Sequence, residues 1–271
     1  MPLAVCATPI GNLDDVTLRV LHELREADLV LCEDTRHTRR LLDRHAIRAR
    51  ALRSHHRHNE AGRVGEVVAR LLAGEQVALV SDAGIPLVND PGARLVSAAL
   101  EAGVPVTVLP GPSAVEAALV VSGLAGDGYR FLGWLPRKQG ERDALWDELS
   151  TVATPCVAFE SPQRLAASLA SLAAADPARP VAVCRELTKV HEEVVRGTAA
   201  ELAARLGAGV RGEVTVVIGG ATARGEGDEA TATAVAAVAE LVGAGAAHRT
   251  AVDVVARLTG APRNTLYRST L

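Results

Sequence analysis

Three predicted strands end in turns whose residue types suit a nucleotide-like ligand. The turns are Pro9-Ile10-Gly11, Ser81-Asp82-Ala83-Gly84-Ile85-Pro86 and Pro110-Gly111-Pro112-Ser113-Ala114. Glycine lets a ligand approach the backbone, a helix N-terminus offers free N–H donors, and the Asp82 carboxylate can accept from a ribose or an amino group. In open α/β sheets, ligands bind beyond the carboxyl ends of the strands. The three turns therefore predict one binding site.

A basic segment between Arg36 and Arg63 is the second chemical feature. Arginine forks match phosphate oxygens, so the segment indicates a phosphate-binding surface, with a solvated face as the alternative. The net charge of -3 argues against coating of nucleic acid along the whole chain. The arginines of the segment are Arg36, Arg39, Arg40, Arg44, Arg48, Arg50, Arg53, Arg57 and Arg63.

The sequence lacks the motifs of several common cofactor and metal sites. No Gly-x-Gly-x-x-Gly opens the first helix and no Gly-x-x-x-x-Gly-Lys-Ser/Thr occurs, which disfavours a dinucleotide oxidoreductase and a P-loop NTPase. The histidines of His55 to His58 have no accompanying cysteine or clear fourth ligand, so we expect no metal site there. The four cysteines lie in short apolar runs without metal-ligand spacing, which predicts buried, reduced thiols.

The elements that must position these residues alternate between strand and helix in the first part of the chain. This alternation predicts a mostly parallel sheet covered on both faces, and hence an α/β fold. The pattern changes at 123–128, so we expect an N-terminal domain over 1–122 and a second α/β domain with a mixed sheet over 123–221. A glycine-rich linker is predicted over 222–229. A small helix-turn-helix-like module over 230–271 is expected to pack on the main body.

Length and composition agree with this division. The 271 residues suffice for about two domains, and 48% hydrophobic with 23% charged residues is typical of a globular protein. No apolar stretch reaches the roughly 18 residues that a membrane helix needs, and the N-terminus has no signal-peptide pattern. We therefore expect a cytoplasmic protein without a membrane partner.

Motifs along nearly the whole chain carry a resemblance to a known family. The chain resembles the RNA cytidine 2′-O-methyltransferase branch of the tetrapyrrole methylase superfamily. The motifs are Thr8 to Leu13, Glu33 to Thr38, Ser81 to Pro86 with Asn89 to Gly92, Pro110 to Ala114, Gly133 to Lys138, Phe159 to Pro162, Arg185 to Lys189, Gly212-Glu213, and Asn264 to Tyr267.

This resemblance implies S-adenosylmethionine bound in a cleft between two domains, and a homodimer. The implied substrate is the 2′-hydroxyl of a cytidine in small-subunit (16S) ribosomal RNA, as free RNA or in the 30S subunit. The residues expected to bind the cofactor are Pro9, Ile10, Gly11, Asp82, Ala83, Gly84, Pro86, Pro112, Ser113, Ala114 and Phe159.

Methyl transfer to a ribose hydroxyl needs a positioned sulfonium and help in removing a weakly acidic proton. We expect Asp34, with Glu33 and Lys189, to act on the substrate side; loop ion pairs are the alternative for each of these strand-end charges. Trp134 is the aromatic residue best suited to stack a splayed base. The residues expected to contact RNA are Arg36, His37, Arg39, Arg40, His56, His58, Trp134, Arg137 and Lys138.

Two other functions stay open at this point. One is methylation of a tetrapyrrole or another small molecule on the same scaffold, which the basic segment and the RNA-branch motifs disfavour. The other is a nucleic-acid-binding regulator that uses the C-terminal module and carries a degenerate methylase body. The intact strand-end motifs speak against such degeneracy.

Overall fold

A parallel five-stranded sheet organises the first part of the chain in the computed structural model, which describes residues 2–221, 226–259, 261 and 263–270. The strand order is β3-β2-β4-β1-β5, and every pairing is parallel. The predicted α/β class is therefore confirmed. The strands are β1 (Leu3–Cys6), β2 (Leu29–Cys32), β3 (Leu52–Ser54), β4 (Val77–Val80) and β5 (Val106–Leu109).

Helices cover both faces of this sheet, which explains why its central strands are uninterrupted apolar runs. On one face, Val20 and Leu24 of α1 pack against Cys6 and Val30. On the other face, helices α3 and α4 bury a second core against the same strands. The helices of this part are α1 (Leu18–Glu26), α2 (Thr35–Arg44), α3 (Glu60–Leu72), α4 (Ala93–Glu101) and α5 (Ala114–Ser122).

Two features of the arginine- and histidine-rich segment differ from the sequence-based expectation. Strand β3 was not predicted, because this short edge strand is only partly buried and has no apolar run. The sequence pattern predicts a helix over Glu66 to Ala73, whereas helix α3 already begins at Glu60. Gly62 and Gly65 lie in its first turns, and glycine weakens a helical pattern because it disfavours the helix interior.

The second sheet is mixed, as predicted, with strand order β6-β7-β10-β8-β9. β6 and β7 are parallel, whereas the other pairings are antiparallel. Helix α8, for which no prediction was made, starts at a capping box of Thr198 and Glu201. The elements are β6 (Arg130–Trp134), α6 (Gln139–Leu149), β7 (Cys156–Glu160), α7 (Leu165–Ala175), β8 (Pro180–Arg185), β9 (Glu193–Thr198), α8 (Ala199–Leu206) and β10 (Val214–Ile218).

Helix α5 joins the two sheets. It follows β5 of the first sheet, and its Val115 and Ala118 share a buried core with Val157, Ala182 and Val217 of the second. This packing sets the carboxyl edge of the first sheet against the second sheet. The space between them is the cleft described below.

The C-terminal helices α9 (Glu226–Gly243), α10 (His248–Thr259) and α11 (Arg263–Ser269) form a module with a small core of its own. The sequence predicts a module too small to have much core of its own, whereas Ala234, Val238, Val252 and Leu266 are buried in this one. Of the predicted linker, 222–225 lie outside the described residues, and α9 begins within the remainder. Among the described helices, none has the length and apolar character that crossing a bilayer requires.

Candidate active site

The three strand-end turns meet at one edge of the first sheet. β1 lies between β4 and β5, so the turns that follow these strands are neighbours. Thr8 and Gly84 exchange backbone hydrogen bonds at 2.8 and 3.0 Å, and the Ala7 N–H donates to the Leu109 carbonyl at 3.1 Å. The motifs singled out from the sequence therefore form one continuous surface.

This surface forms one side of a cleft of about 660 Å³, whose other side is the second sheet. The volume lies in the range of pockets that hold a nucleoside-sized ligand. Gly84 has φ +76°, and a Cβ there would lie 3.7 Å from Ile10 Cγ2 and 3.8 Å from the Pro112 carbonyl oxygen. Of the residues expected to bind the cofactor, those that line the cleft are Ile10, Asp82, Ala83, Gly84, Ser113, Ala114 and Phe159.

The other four residues expected to bind the cofactor lie behind this lining. Pro9 borders a small separate pocket with His37 and Leu41. Pro86 is buried, and the Pro112 carbonyl lies beside Gly84. Gly11 packs against the loop after β8, and these contacts bring the two halves of the chain together at one end of the cleft.

Aromatic side chains are concentrated on the second side of the cleft. The chain has only two Phe, two Tyr and two Trp residues, yet Tyr129, Phe131, Trp134 and Phe159 all line this one space. The ring centroids of Phe131 and Phe159 are 5.1 Å apart, and those of Trp134 and Phe159 are 5.7 Å apart. Trp134 is 55% exposed, so its ring is free to pack against a planar group.

Carboxylates gather at the end of the cleft formed by β2 and β4. Asp82 and Asp90 line the cleft, and Glu33 lies close to both. Burial, followed by the neighbouring Glu33 carboxylate, raises the pKa of Asp90 to about 6. Burial, followed by Asp82, likewise raises the pKa of Glu33. Asp90 is not among the site residues predicted from the sequence, although the Asn-Asp-Pro-Gly turn that contains it is a sequence signal for a loop at the cleft.

The residues expected to act on the substrate lie around the cleft, not in its lining. Asp34 caps α2, and its carboxylate binds Arg36 at 2.7 Å, which holds the pKa of Asp34 well below its usual range. The Lys189 ammonium lies 3.1 Å from both the Glu186 and the Glu213 carboxylate. Although burial opposes it, these carboxylates raise the pKa of Lys189, so the amine is charged at neutral pH.

The residues expected to contact RNA lie on two exposed patches and one loop. Arg36, His37, Arg39 and Arg40 are exposed on α2. Arg137 and Lys138 are exposed just after β6. In the loop after β3, His58 is exposed and His56 is half-buried. His56 Nε2 lies 3.2 Å from Asn59 Nδ2.

Most arginines of the basic segment have partners within the chain. Such exposed pairs contribute little to stability and remain available for exchange with phosphate oxygens. In the described part of the chain, no group of three or more His, Cys, Asp or Glu side chains is placed to hold a metal ion. The partners are Asp34 for Arg36, Asp14 for Arg44, Asp28 for Arg50, Glu66 for Arg53, the Asn89 carbonyl for Arg57 and the Ser54 carbonyl for Arg63.

Residues 2–203 match the sequence pattern of the tetrapyrrole (corrin/porphyrin) methylases. A ribosomal RNA small subunit methyltransferase I of Micromonospora olivasterospora is 46% identical over 98% of this chain and 85% of its own length. The protein of that name from Mycobacterium tuberculosis is 45% identical over 99% of this chain and 94% of its own. The one from Halalkalibacterium halodurans is 37% identical over 98% and 93%.

Solved structures share the fold at lower sequence identity. Diphthine synthase superposes with a TM-score of 0.59 at 19% identity, covering 80% of this chain and 89% of that one. Uroporphyrin-III C-methyltransferase from Thermus thermophilus, complexed with S-adenosylhomocysteine, has a TM-score of 0.53 at 20% identity, covering 80% and 96%. At this level of identity the likeness establishes the two-sheet architecture.

Proposed function

The chain belongs to the tetrapyrrole methylase family, in the group of ribosomal RNA small subunit methyltransferase I, and we propose that it methylates the 2′-oxygen of a cytidine in 16S ribosomal RNA. The methyl donor is S-adenosylmethionine. The observation that carries the proposal is the cleft itself. Turns that suit a nucleoside form one side, and four of the six Phe, Tyr and Trp side chains of the chain lie on the other.

The cleft residues fit an adenosyl group. Gly84 lines the cleft with φ +76°, a backbone conformation that favours glycine, and Ala114 begins helix α5. Asp82 offers a carboxylate to ribose hydroxyls or to an amino group. When bound, S-adenosylmethionine supplies an electrophilic methyl group on a positively charged sulfur. The chain contributes orientation and exclusion of water from a largely apolar cleft.

The RNA side of the proposal rests on shape and charge. A target nucleotide must leave its neighbours to enter the cleft, and Trp134 offers an exposed ring on which its base can stack. Arg39 and Arg40 on α2, with Arg137 and Lys138 after β6, would contact phosphates on either side. These residues therefore position the RNA backbone while the cleft receives a single nucleotide.

In this proposal Asp34, Glu33 and Lys189, which the sequence predicts to act on the substrate, instead position other groups of the cleft. The Asp34 N–H donates to Asp82 at 2.9 Å, so Asp34 fixes the turn that binds the cofactor. Lys189, held as a cation, contacts the Gly11 turn and supports the opposite end of the cleft. Glu33 lies behind Asp90 and Asp82 and sets their electrostatic environment.

The organisation of the chain completes the proposal. We assign 1–122 and 123–221 to the two halves of the methylase body, 222–229 to a connection and 230–271 to the C-terminal module. A homodimer and a cytoplasmic location, where ribosomal subunits are assembled, are part of the same proposal. Size-exclusion chromatography with light scattering tests the dimer directly.

The test is transfer of a labelled methyl group from S-adenosylmethionine to purified small subunits that lack the modification. We expect incorporation into 16S RNA and none into transfer RNA, with Asp82→Ala as the inactive control. Incorporation into a tetrapyrrole, with none into any RNA, would instead favour methylation of a small molecule. DNA binding by the full-length chain without any methyl transfer would favour the regulator.

A further inference from the structure

The loop between β4 and α4 places Asp90 in the wall of the cleft, among charged groups from three other elements. Glu33 lies at the end of β2, Asp82 at the end of β4, and Arg57 in the segment between β3 and α3. Burial, followed by the two carboxylates, favours the protonated form of Asp90, whereas the Ser81 hydroxyl and the Arg57 guanidinium favour the ionised form. Asp90 is thus a carboxyl whose proton affinity is set by the cleft.

The backbone on either side of Asp90 is held by specific contacts. Leu87 and Asn89 have φ of +73° and +67°, values that cost energy for residues with a side chain. Arg57 Nη2 donates to the Asn89 carbonyl at 2.6 Å. On the other side, Glu60 Oε1 accepts the Gly92 N–H at 3.1 Å. The carboxyl group is therefore carried by a fixed loop, as a group that must meet a reacting atom requires.

Three other ionisable groups at or near the cleft are held by partners within the chain. Asp34 is bound by Arg36, and its pKa is lowered. Glu160 is buried and accepts from Arg164, from the Ser161 N–H and from the Ser168 hydroxyl. The Lys189 amine is charged, so it has no lone pair to accept a proton. Asp90 combines exposure to the cleft with a near-neutral pKa, which a general base needs at physiological pH.

We propose that Asp90 is the general base that accepts the proton of the substrate hydroxyl during methyl transfer. This inference rests on the proposed function. The hydroxyl oxygen forms its bond to the methyl carbon while the carbon–sulfur bond breaks, and the electron pair of that bond stays on sulfur. The proton leaves the oxygen for the Asp90 carboxylate and passes to solvent after the product departs.

Asp90→Asn tests the assignment, with Asp147→Asn, an exposed carboxyl on α6, as the matched control. Under single-turnover conditions with small subunits, we expect Asp90→Asn to lower the rate constant by about 100-fold or more. Affinity for S-adenosylhomocysteine, measured by calorimetry, should stay within about threefold of wild type, or about 0.6 kcal/mol. The wild-type rate constant should decrease as the pH is lowered below about 6. The residual rate constant of the variant should not decrease in this pH range.

A readout that does not depend on catalysis comes from stability. The pKa of Asp90 is higher in the folded chain than in an unfolded one, so the folded state binds more protons between about pH 4 and about pH 6. The contribution of Asp90 to the free energy of unfolding, measured as the difference between wild type and Asp90→Asn, should therefore decrease as the pH rises through this window. Asp90→Asn should therefore gain stability relative to wild type as the pH rises and should be the more stable of the two at pH 7.5, whereas the difference between Asp147→Asn and wild type should not change with pH in this way.

The outcomes separate this inference from the proposed function. RNA methylation by Asp90→Asn at the wild-type rate, with the wild-type pH profile, overturns the role of Asp90 and leaves the function in place. Loss of S-adenosylhomocysteine binding in the variant also overturns it, in favour of cofactor binding. A wild-type chain that methylates no RNA overturns both. If the variant does not fold, a wild-type single-turnover rate that is constant from pH 5 to pH 8 overturns the inference.

Discussion

The backbone N–H of Asp34 donates a hydrogen bond to Asp82 Oδ1 at 2.9 Å. This bond ties the end of β2 to the end of β4, two strands that are neighbours in the sheet. One oxygen of the Asp82 carboxylate is thereby engaged in holding the α2 turn. The same side chain lines the cleft. Asp82 therefore links the shape of the cofactor turn to the start of the arginine-bearing helix.

Removal of the Asp82 carboxylate should weaken cofactor binding. We expect Asp82→Ala to lower the affinity for S-adenosylhomocysteine at least tenfold in calorimetry, or about 1.4 kcal/mol, with the fold intact by circular dichroism. Asp82→Asn keeps an acceptor for the Asp34 N–H and should lose less. Unchanged affinity in Asp82→Ala would move the centre of the cofactor site to the turn from Pro110 to Ser113.

A methyl group at Gly11 should separate the two sides of the cleft. A Cβ there would lie 2.6 Å from Lys189 Cγ and from Thr188 Oγ1, and 2.7 Å from the Leu187 carbonyl. We expect Gly11→Ala to destabilise the chain by about 1 to 3 kcal/mol in urea unfolding.

Gly65→Ala in helix α3 is the matched control, because a Cβ there meets nothing within 4 Å. It should raise stability by up to about 1 kcal/mol. Equal effects of the two substitutions would show that the Gly11 contact is not tight in solution.

Glu60 should support the loop that carries Asp90. This buried carboxylate accepts the N–H groups of Gly92 and Arg94 at the start of α4, where no side chain of the loop itself caps the helix. We expect Glu60→Ala to cost about 1 to 3 kcal/mol of unfolding free energy, because the buried Gly92 N–H and the partly buried Arg94 N–H lose their acceptor. Glu60→Gln retains an oxygen acceptor and should cost less. A Glu60→Ala chain as stable as wild type would contradict this role.

Arg39 and Arg40 should contribute to RNA affinity through phosphate contacts. Both are exposed on α2 near the cleft, and replacing both with alanine should lower the affinity for small subunits. The slope of log affinity against log salt concentration should become shallower by about 0.7 to 0.9 for each lost phosphate contact. Arg44→Ala is the control, since Arg44 already pairs with Asp14 at 2.7 Å. An unchanged slope in the double variant would place the RNA on another face.

Much of the fold could be predicted because the residues that determine each strand or helix lie within that element. The apolar runs Leu29 to Cys32 and Val77 to Val80 coincide with strands, since each is buried on both faces and needs no alternation. Strand β3 lacks such a run because it lies at the edge of its sheet. Helix α8 begins at a capping box, Thr198 with Glu201, that is itself a local signal in the sequence.

The turns that form the site could be predicted from the sequence, but the roles of the individual charged residues could not. The near-neutral pKa of Asp90 depends on burial and on Glu33, which comes from a different strand. The commitment of Lys189 to Glu186 and Glu213 likewise depends on tertiary contacts. Residue type and position at a strand end do not distinguish a charge that is free from one that is paired.

The most direct measurement for the whole account is mass spectrometry of nucleosides from 16S RNA after reaction with the purified chain and isotopically labelled S-adenosylmethionine. We expect one labelled species, 2′-O-methylcytidine, with wild type and Asp147→Asn, and much less of it with Asp90→Asn. A labelled methyl group on a base, or no label in ribosomal RNA from wild type, would contradict it.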